Sequence, residues 1–181
     1  DEVTELRPAV ALFIRFGRFE FEGDDASDRL DELVRLVQAV LDSYDANLVQ
    51  VTIGDKGNYF YAAFGAPRAH EDMADRATAA ALDLRDVLSA RAGGAPGIGI
   101  DQGVARVGAY GAAGRRTYGV LGDATNTAAR LMAAAAPGEI LVTAAVRAAT
   151  RERLLFDELA PLAVKGREEP VSVCRLTGRP I

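Results

Sequence analysis

Two short runs, Asn47-Leu48-Val49-Gln50-Val51-Thr52-Ile53 and Asn58-Tyr59-Phe60-Tyr61-Ala62-Ala63-Phe64, flank Gly54-Asp55-Lys56-Gly57. β-Branched and aromatic residues dominate both runs, and the glycines between them accept the positive φ that tight turns require, so the segment reads as a β-hairpin with a charged tip. A helix precedes it. Leu30, Leu33, Val34, Val37, Val40, Leu41 and Tyr44 follow helical spacing across 27–44, with Asp, Glu and Arg on the opposite face. Before that helix, Pro8 leads into Ala9-Val10-Ala11-Leu12-Phe13-Ile14, a buried first strand, with 17–25 as its exit loop.

Beyond the hairpin, Gly65-Ala66-Pro67 ends the second strand. A second helix spans 71–88, with a largely alanine core face that implies close approach to a sheet, and Gly93-Gly94-Ala95-Pro96 stops it. A strand over 97–110, loosened by Gly99, Gly103 and Gly108, completes a β-α-β-β-α-β order. That order is a ferredoxin-like α+β core. The chain continues with a partner strand over 117–121 across a Gly/Arg-rich turn, a helix opening at Gly122-Asp123, a break at Pro137-Gly138 and a strand over 139–143. A short helix over 144–153 and closing strands over 154–159 and 171–176 come last, with Lys165-Gly166 in the loop between the two strands. This adds a C-terminal β-α-β-α-β-β extension, with no internal repeat and no low-complexity linker.

At 181 residues the chain fits one domain with a full core. Net charge is -5 and the 21 basic residues are scattered, almost all of them Arg, so the footprint of a nucleic-acid binder is missing. Any role needing Lys has only Lys56 and Lys165 to draw on. The single Cys174 cannot form an internal disulfide, and with one histidine, His70, no zinc site assembles. A cytoplasmic location is the expectation. No apolar run reaches membrane-spanning length, and the start lacks the basic and apolar regions of a signal peptide. The first residue is Asp1 rather than Met, which suggests a domain cut from a longer protein.

Three places carry candidate chemistry. Asp55, on its glycine-flanked turn, offers a hard oxygen ligand to a divalent cation, or simply hydrogen-bonds its own turn. Arg15-Phe16-Gly17-Arg18-Phe19, at the end of the first strand, emerges beside that hairpin tip. A two-metal phosphoryl site needs a second carboxylate there, and Arg15 stands in its place. The third is Gly122-Asp123-Ala124-Thr125-Asn126-Thr127-Ala128-Ala129-Arg130-Leu131, where an amide and a guanidinium one turn apart share a helix face. Near a helix start such a pair, entered through Asp123, suits a ribose or phosphate and charge growing on a phosphoryl group; it also suits an ordinary polar surface. His70 is expected to cap the second helix or face solvent, Arg115 and Arg116 to lie in a solvated turn, and Cys174 to be core.

Gly54-Asp55, Phe64-Gly65-Ala66-Pro67, Gly97-Ile98-Gly99-Ile100-Asp101-Gln102-Gly103, Tyr118 through Leu131 and Pro137-Gly138-Glu139-Ile140-Leu141-Val142 occur in this order. Together they resemble the class III nucleotidyl cyclase (adenylate/guanylate cyclase) catalytic domain, over residues 8–177, leaving 1–7 as a linker and 178–181 as a tail. The resemblance implies a domain that works as a pair, with composite sites turning ATP or GTP into the cyclic nucleotide and pyrophosphate. One subunit would supply two metal-binding Asp residues for Mg2+ or Mn2+. The other would supply a base-recognising Lys, a base-reading Asp or Thr, and an Asn and Arg that steady the transition state.

By that resemblance Asn126 and Arg130 are the catalytic pair and Asp55 is the second metal Asp. The first metal Asp falls on Arg15, the Lys on Gln50 or Val51, and the base reader on Gly119; Asp123 adjoins the substrate, and the usual Gly-Phe-Thr loop reads Arg18-Phe19-Glu20. The pattern is similar to the second, degenerate domain of tandem soluble adenylyl cyclases, where an Asp-Lys-Gly turn also occurs. It implies a chain inactive alone that needs a second cyclase-homology domain, in a hetero- or homodimer, to hold the metals. Arg15 is then expected within reach of Asp55, as an ion pair in place of the cation. The competing reading is a pseudo-cyclase serving regulation or dimerisation. Diguanylate cyclases share a related core, but their Gly-Gly-Asp/Glu-Glu-Phe turn is absent here. Lys165-Gly166 matches a common family motif and reads as structural or interfacial.

Overall fold

The computed structural model describes residues 4–17, 22–55, 57–91 and 94–181. Lys56, Gly93 and the Arg18-Phe19-Glu20 segment lie outside them. In chain order the elements are β1 (Glu5–Phe16), α1 (Ala26–Ser43), β2 (Asn47–Thr52), β3 (Asn58–Phe64), α2 (Met73–Arg91), β4 (Gly97–Ala112), β5 (Arg115–Leu121), α3 (Asp123–Ala134), β6 (Ile140–Thr143), α4 (Ala144–Ala149), β7 (Leu155–Glu158) and β8 (Val173–Gly178). This is the α+β order read from the sequence, core and extension alike.

The strands form one mixed sheet in the order β2-β3-β1-β4-β6-β8-β7, with β5 on β4 beyond the reach of β6. β1 is antiparallel to both β3 and β4, and β4 is parallel to β6. Alternation along β1 divides the core. Val10, Leu12, Ile14 and Phe16 pack with Val37 and Leu41 of α1, with the alanines and leucines of α2, and with Val146 of α4. Ala9, Ala11 and Phe13 point the other way, toward Ala128 and Met132 of α3. Because both faces of β1 are covered, its apolar run is continuous rather than alternating.

Glycine sets the spacing on the α3 side. Gly97, Gly99 and Gly103 alternate with Ile98 and Ile100, so the isoleucines face α2 and the glycines face α3. A Cβ on Gly99 would stand 2.2 Å from the Ala128 carbonyl oxygen and 2.3 Å from the Met132 nitrogen. The helix backbone therefore rests directly on the strand. The alanine face of α2 does similar work opposite, with Ala77, Ala80 and Ala81 fully buried.

Several boundaries move. β1 begins at Glu5 and pairs Glu5 with Val107, so residues 5–7 are strand rather than linker. α2 starts at Met73 and α4 stops at Ala149, earlier than the expected 153. The segment leaving α4 is held by Asp75 of α2, a buried carboxylate that accepts from the Arg151 and Glu152 backbone amides at 2.7 and 2.9 Å. Arg115 and Arg116 belong to β5 rather than to a turn. His70 does not cap α2 but meets Asp45 Oδ2 at 2.6 Å. In the expected tail, Arg179 bonds Asp83 of α2 at 2.9 Å, while Tyr44, just past α1, donates to the same carboxylate; burial and that contact push the Tyr44 phenol up to about 12. Cys174 is core, as expected.

A Gly99→Ala chain is expected to lose about 3 kcal/mol in urea unfolding, because helix backbone cannot yield to the added methyl. Gly114→Ala, with open space around it, should stay within about 0.5 kcal/mol of the parent.

Candidate functional site

α3 is short and strongly two-sided. Ala124, Thr127, Ala128, Leu131 and Met132 are buried, while Asp123, Asn126 and Arg130 lie on the open side. Asn126 and Arg130 thus stand one turn apart on the outer face, as their spacing requires. Among the described residues neither side chain makes a hydrogen bond or ion pair. Entry to the helix is tight: a Cβ on Gly122 would come within 2.8 Å of the Val104 carbonyl oxygen, so only glycine lets the chain turn from β5 into α3 against β4. Asp123 occupies the first turn, where a carboxylate complements the helix's positive end.

The start of α3 is fastened from below by Tyr61 of β3, a residue outside the sequence-based candidates. Its hydroxyl donates to the Val120 carbonyl at 2.7 Å and lies 3.3 Å from Thr125 Oγ1, and its ring stacks on Phe13 at 4.5 Å. Burial raises its phenol pKa. A tyrosine in a strand signals only strand propensity, so nothing local marked it.

β2 settles which of two neighbours faces this region. Its register shifts between Leu48 and Gln50, after which Gln50 pairs with Tyr61, Val51 with Phe60 and Thr52 with Tyr59. Paired residues share a face, so Gln50 and Thr52 are on the α3 side and Val51 on the α1/α2 side. Gln50 is exposed and donates to Thr52 Oγ1 at 3.0 Å. Gly119 pairs with Gly108, and a Cβ on it would come within 2.9 Å of the Tyr110 ring. At that position the chain offers backbone only.

Asp55 is exposed at the hairpin tip, in a turn closed by Gly57 N–H donating to the Gly54 carbonyl at 3.0 Å. Asn58 Nδ2 donates to the Gly17 carbonyl at 3.3 Å, which holds the hairpin base beside the end of β1. The tip and the strand end therefore adjoin as expected, but the expected ion pair does not form. Arg15 faces the same side as Phe13, toward α3, and donates to the carbonyls of Met132, Ala133 and Ala135 at 3.1, 3.2 and 2.6 Å. Helix-end carbonyls lack intrahelical donors and carry partial negative charge, so they draw the guanidinium away from an exposed carboxylate. Among the described residues no three acidic, histidine or cysteine side chains converge as a cation site. Among the described residues here, Asp55 beside a committed Arg15 does not fit a metal pair.

The start of α3 lies far from Asp55, whereas Arg130, between Ala128 and Met132 at Gly99, lies nearer the hairpin end. Ala124, in the first turn of α3, packs at Gly103, whereas Asp55 lies past Asn58 and Phe16, level with Gly97. Six residues of β4 separate those levels, about 20 Å of strand. Between them, Asp101 sits buried on the α3 side, accepting from Thr143 Oγ1 at 2.7 Å and the Gln102 amide at 2.8 Å. Burial pushes its carboxyl pKa up, against the lowering pull of Thr143, the Gln102 amide, Arg167 and Thr127.

The family profile described as adenylate and guanylate cyclase catalytic domain matches residues 16–175. This chain belongs to that family. Adenylate cyclase 1 of Rhizobium meliloti (strain 1021) is 30% identical over 160 residues, covering 82% of this chain and 24% of that protein. The chain thus spans about a quarter of the length of that relative. Among solved structures, the adenylyl cyclase CyaB from P. aeruginosa superposes with a TM-score of 0.87 at 22% identity, covering 98% of this chain and 97% of the other. The guanylate cyclase domain of RhGC from Catenaria anguillulae, solved in complex with GTP, gives 0.84 at 22% identity over 99% and 100%. At such identities these likenesses establish the cyclase fold.

The raised Asp101 pKa fixes a pH dependence. The folded state holds the proton more tightly than the unfolded chain, so stability linked to Asp101 is full below its ordinary carboxylate pKa and falls as pH rises through the folded value. Asp101→Asn, which keeps an acceptor for Thr143, should therefore melt near the parent in acid and progressively above it as pH approaches neutrality. Parallel melting curves at every pH would contradict this.

Proposed function

We propose that this chain is the transition-state half of a composite nucleotidyl cyclase site. A second cyclase-homology domain that bears both metal aspartates faces α3 and would hold the Mg2+ or Mn2+ ions. The substrate is ATP or GTP. Its 3′-hydroxyl loses a proton and attacks the α-phosphorus in line; the bond to the β-phosphate breaks, and pyrophosphate leaves. Arg130 places fixed positive charge where negative charge grows on the phosphoryl oxygens, and Asn126 orients the ribose, both set in advance by a rigid helix. Gln50 borders the base from β2, Gly119 contributes backbone, and Asp123 lies at the helix start beside the bound nucleotide.

One observation carries this reading. Asn126 and Arg130 stand outward and unengaged among the described residues, while Arg15, in the place of a metal carboxylate, is committed to α3. A pseudo-cyclase reading draws on the loss of Asp at position 15 and of Lys near position 51. The two readings differ in what Arg130 does.

Mixing the chain with a cyclase domain that bears both metal aspartates, adding ATP or GTP with Mg2+ or Mn2+, and measuring cyclic product separates them. The composite site gives product only in the mixture, and Arg130→Ala lowers kcat by about 100-fold or more. A mixture without product, or one indifferent to Arg130→Ala, supports the pseudo-cyclase instead.

A further inference from the structure

We propose that Arg15 is a positioning residue for α3: from the end of β1 it anchors the last turn of the helix that presents Asn126 and Arg130. The anchoring stands on contacts within this chain; its catalytic consequence rests on reading α3 as the working face.

Pro137 stops α3, but the sequence there supplies no glycine cap for its last carbonyls. Its last turn has no basic residue, its C-cap is Ala135 in an extended conformation, and Ala136-Pro137 comes next, so no glycine closes the helix in the left-handed turn that commonly ties up final carbonyls. Arg15 supplies what is missing from 117 to 120 residues away. Nη1 spans the Met132 and Ala133 carbonyls, and Nη2 holds that of Ala135 at 2.6 Å. A planar guanidinium reaches several acceptors at once and brings a full charge to the helix's negative end; an ammonium would bring only a point charge.

Gly97 belongs to the same device. A Cβ there would lie 2.7 Å from Arg15 Nη2 and 3.3 Å from the Ala135 carbonyl oxygen, so glycine keeps open the slot through which the guanidinium passes. With Arg15 at one end and the Tyr61–Val120–Thr125 contacts at the other, α3 is held at both ends over the Gly99 contact. Asn126 and Arg130 project from the span between.

The charge at position 15 then has a definite sign requirement. Aspartate there reaches none of these carbonyls with a donor and adds negative charge toward the helix's negative end, so Arg15→Asp loosens the helix rather than building a cation site with Asp55.

Hydrogen exchange on the purified chain tests the anchor without any partner. Arg15→Met should speed exchange of the amides of Leu131 to Ala135 about tenfold or more, as expected for losing hydrogen bonds from a charged donor. Amides of β6 should be unchanged. Arg15→Lys should fall between parent and Arg15→Met, and Arg15→Asp should be the least protected, with or without Mg2+ or Mn2+. Unchanged α3 exchange in Arg15→Met, or protection of Arg15→Asp restored by the metal, overturns the anchor. Should Arg15→Asp fail to fold, the Met and Lys chains decide alone. In the complemented cyclase mixture Arg15→Met should lower kcat with KM little changed, and Arg15→Lys should recover part of it; full kcat with a loosened α3 overturns the positioning role. If the parent mixture yields no product, the composite-site reading fails by itself, and the positioning role falls with it while the exchange result still decides the anchor.

Discussion

The contact of α3 backbone with Gly99 of β4 is the constraint on which most of the other arrangements depend. A helix resting on a strand without intervening side chains sits closer than ordinary packing allows, and the elements around it are chosen to suit. Gly122 lets β5 run into the helix against Val104 and Ala105, and Gly97 leaves space for the guanidinium at the far end. Small residues stand at each approach. Larger ones, Phe13, Tyr61, Val107 and Val120, fill the wider space beside the helix.

Polar ties add direction to this packing. Asp75 and Asp101 are buried carboxylates with backbone amides among their donors, so each binds segments distant in sequence at limited desolvation cost. Arg15 is a charge committed to neutral carbonyls rather than to an acid. That choice makes the sheet end beside the hairpin tip a structural fixture, and it concentrates the exposed chemistry of the chain on the outer face of α3.

Much of this is legible in the sequence. The hairpin, the amphipathic α1 and the alanine face of α2 all rest on short periodicities that local sequence carries. Asn126 and Arg130 share a face by helix geometry alone. Other expectations failed where the deciding partner was remote. Arg15 reads as a partner of Asp55 because both lie at one end of the sheet, yet a strand residue's face is set by alternation, and that face looks onto α3. Whether Gln50 or Val51 faced the site hung on one irregularity in β2 that composition does not announce.

The chain's own letters therefore determined the order of strands and helices, the family they belong to and the pairing of Asn126 with Arg130, because each rests on spacings of a few residues. Tertiary structure alone decided that Arg15 anchors α3, that Tyr61 fastens its start, that Tyr110 covers Gly119 and that Asp55 stands apart from the start of that helix. Those facts depend on contacts between residues as much as 120 positions apart. No local periodicity encodes such distances; they exist only once the sheet has brought its strands into register.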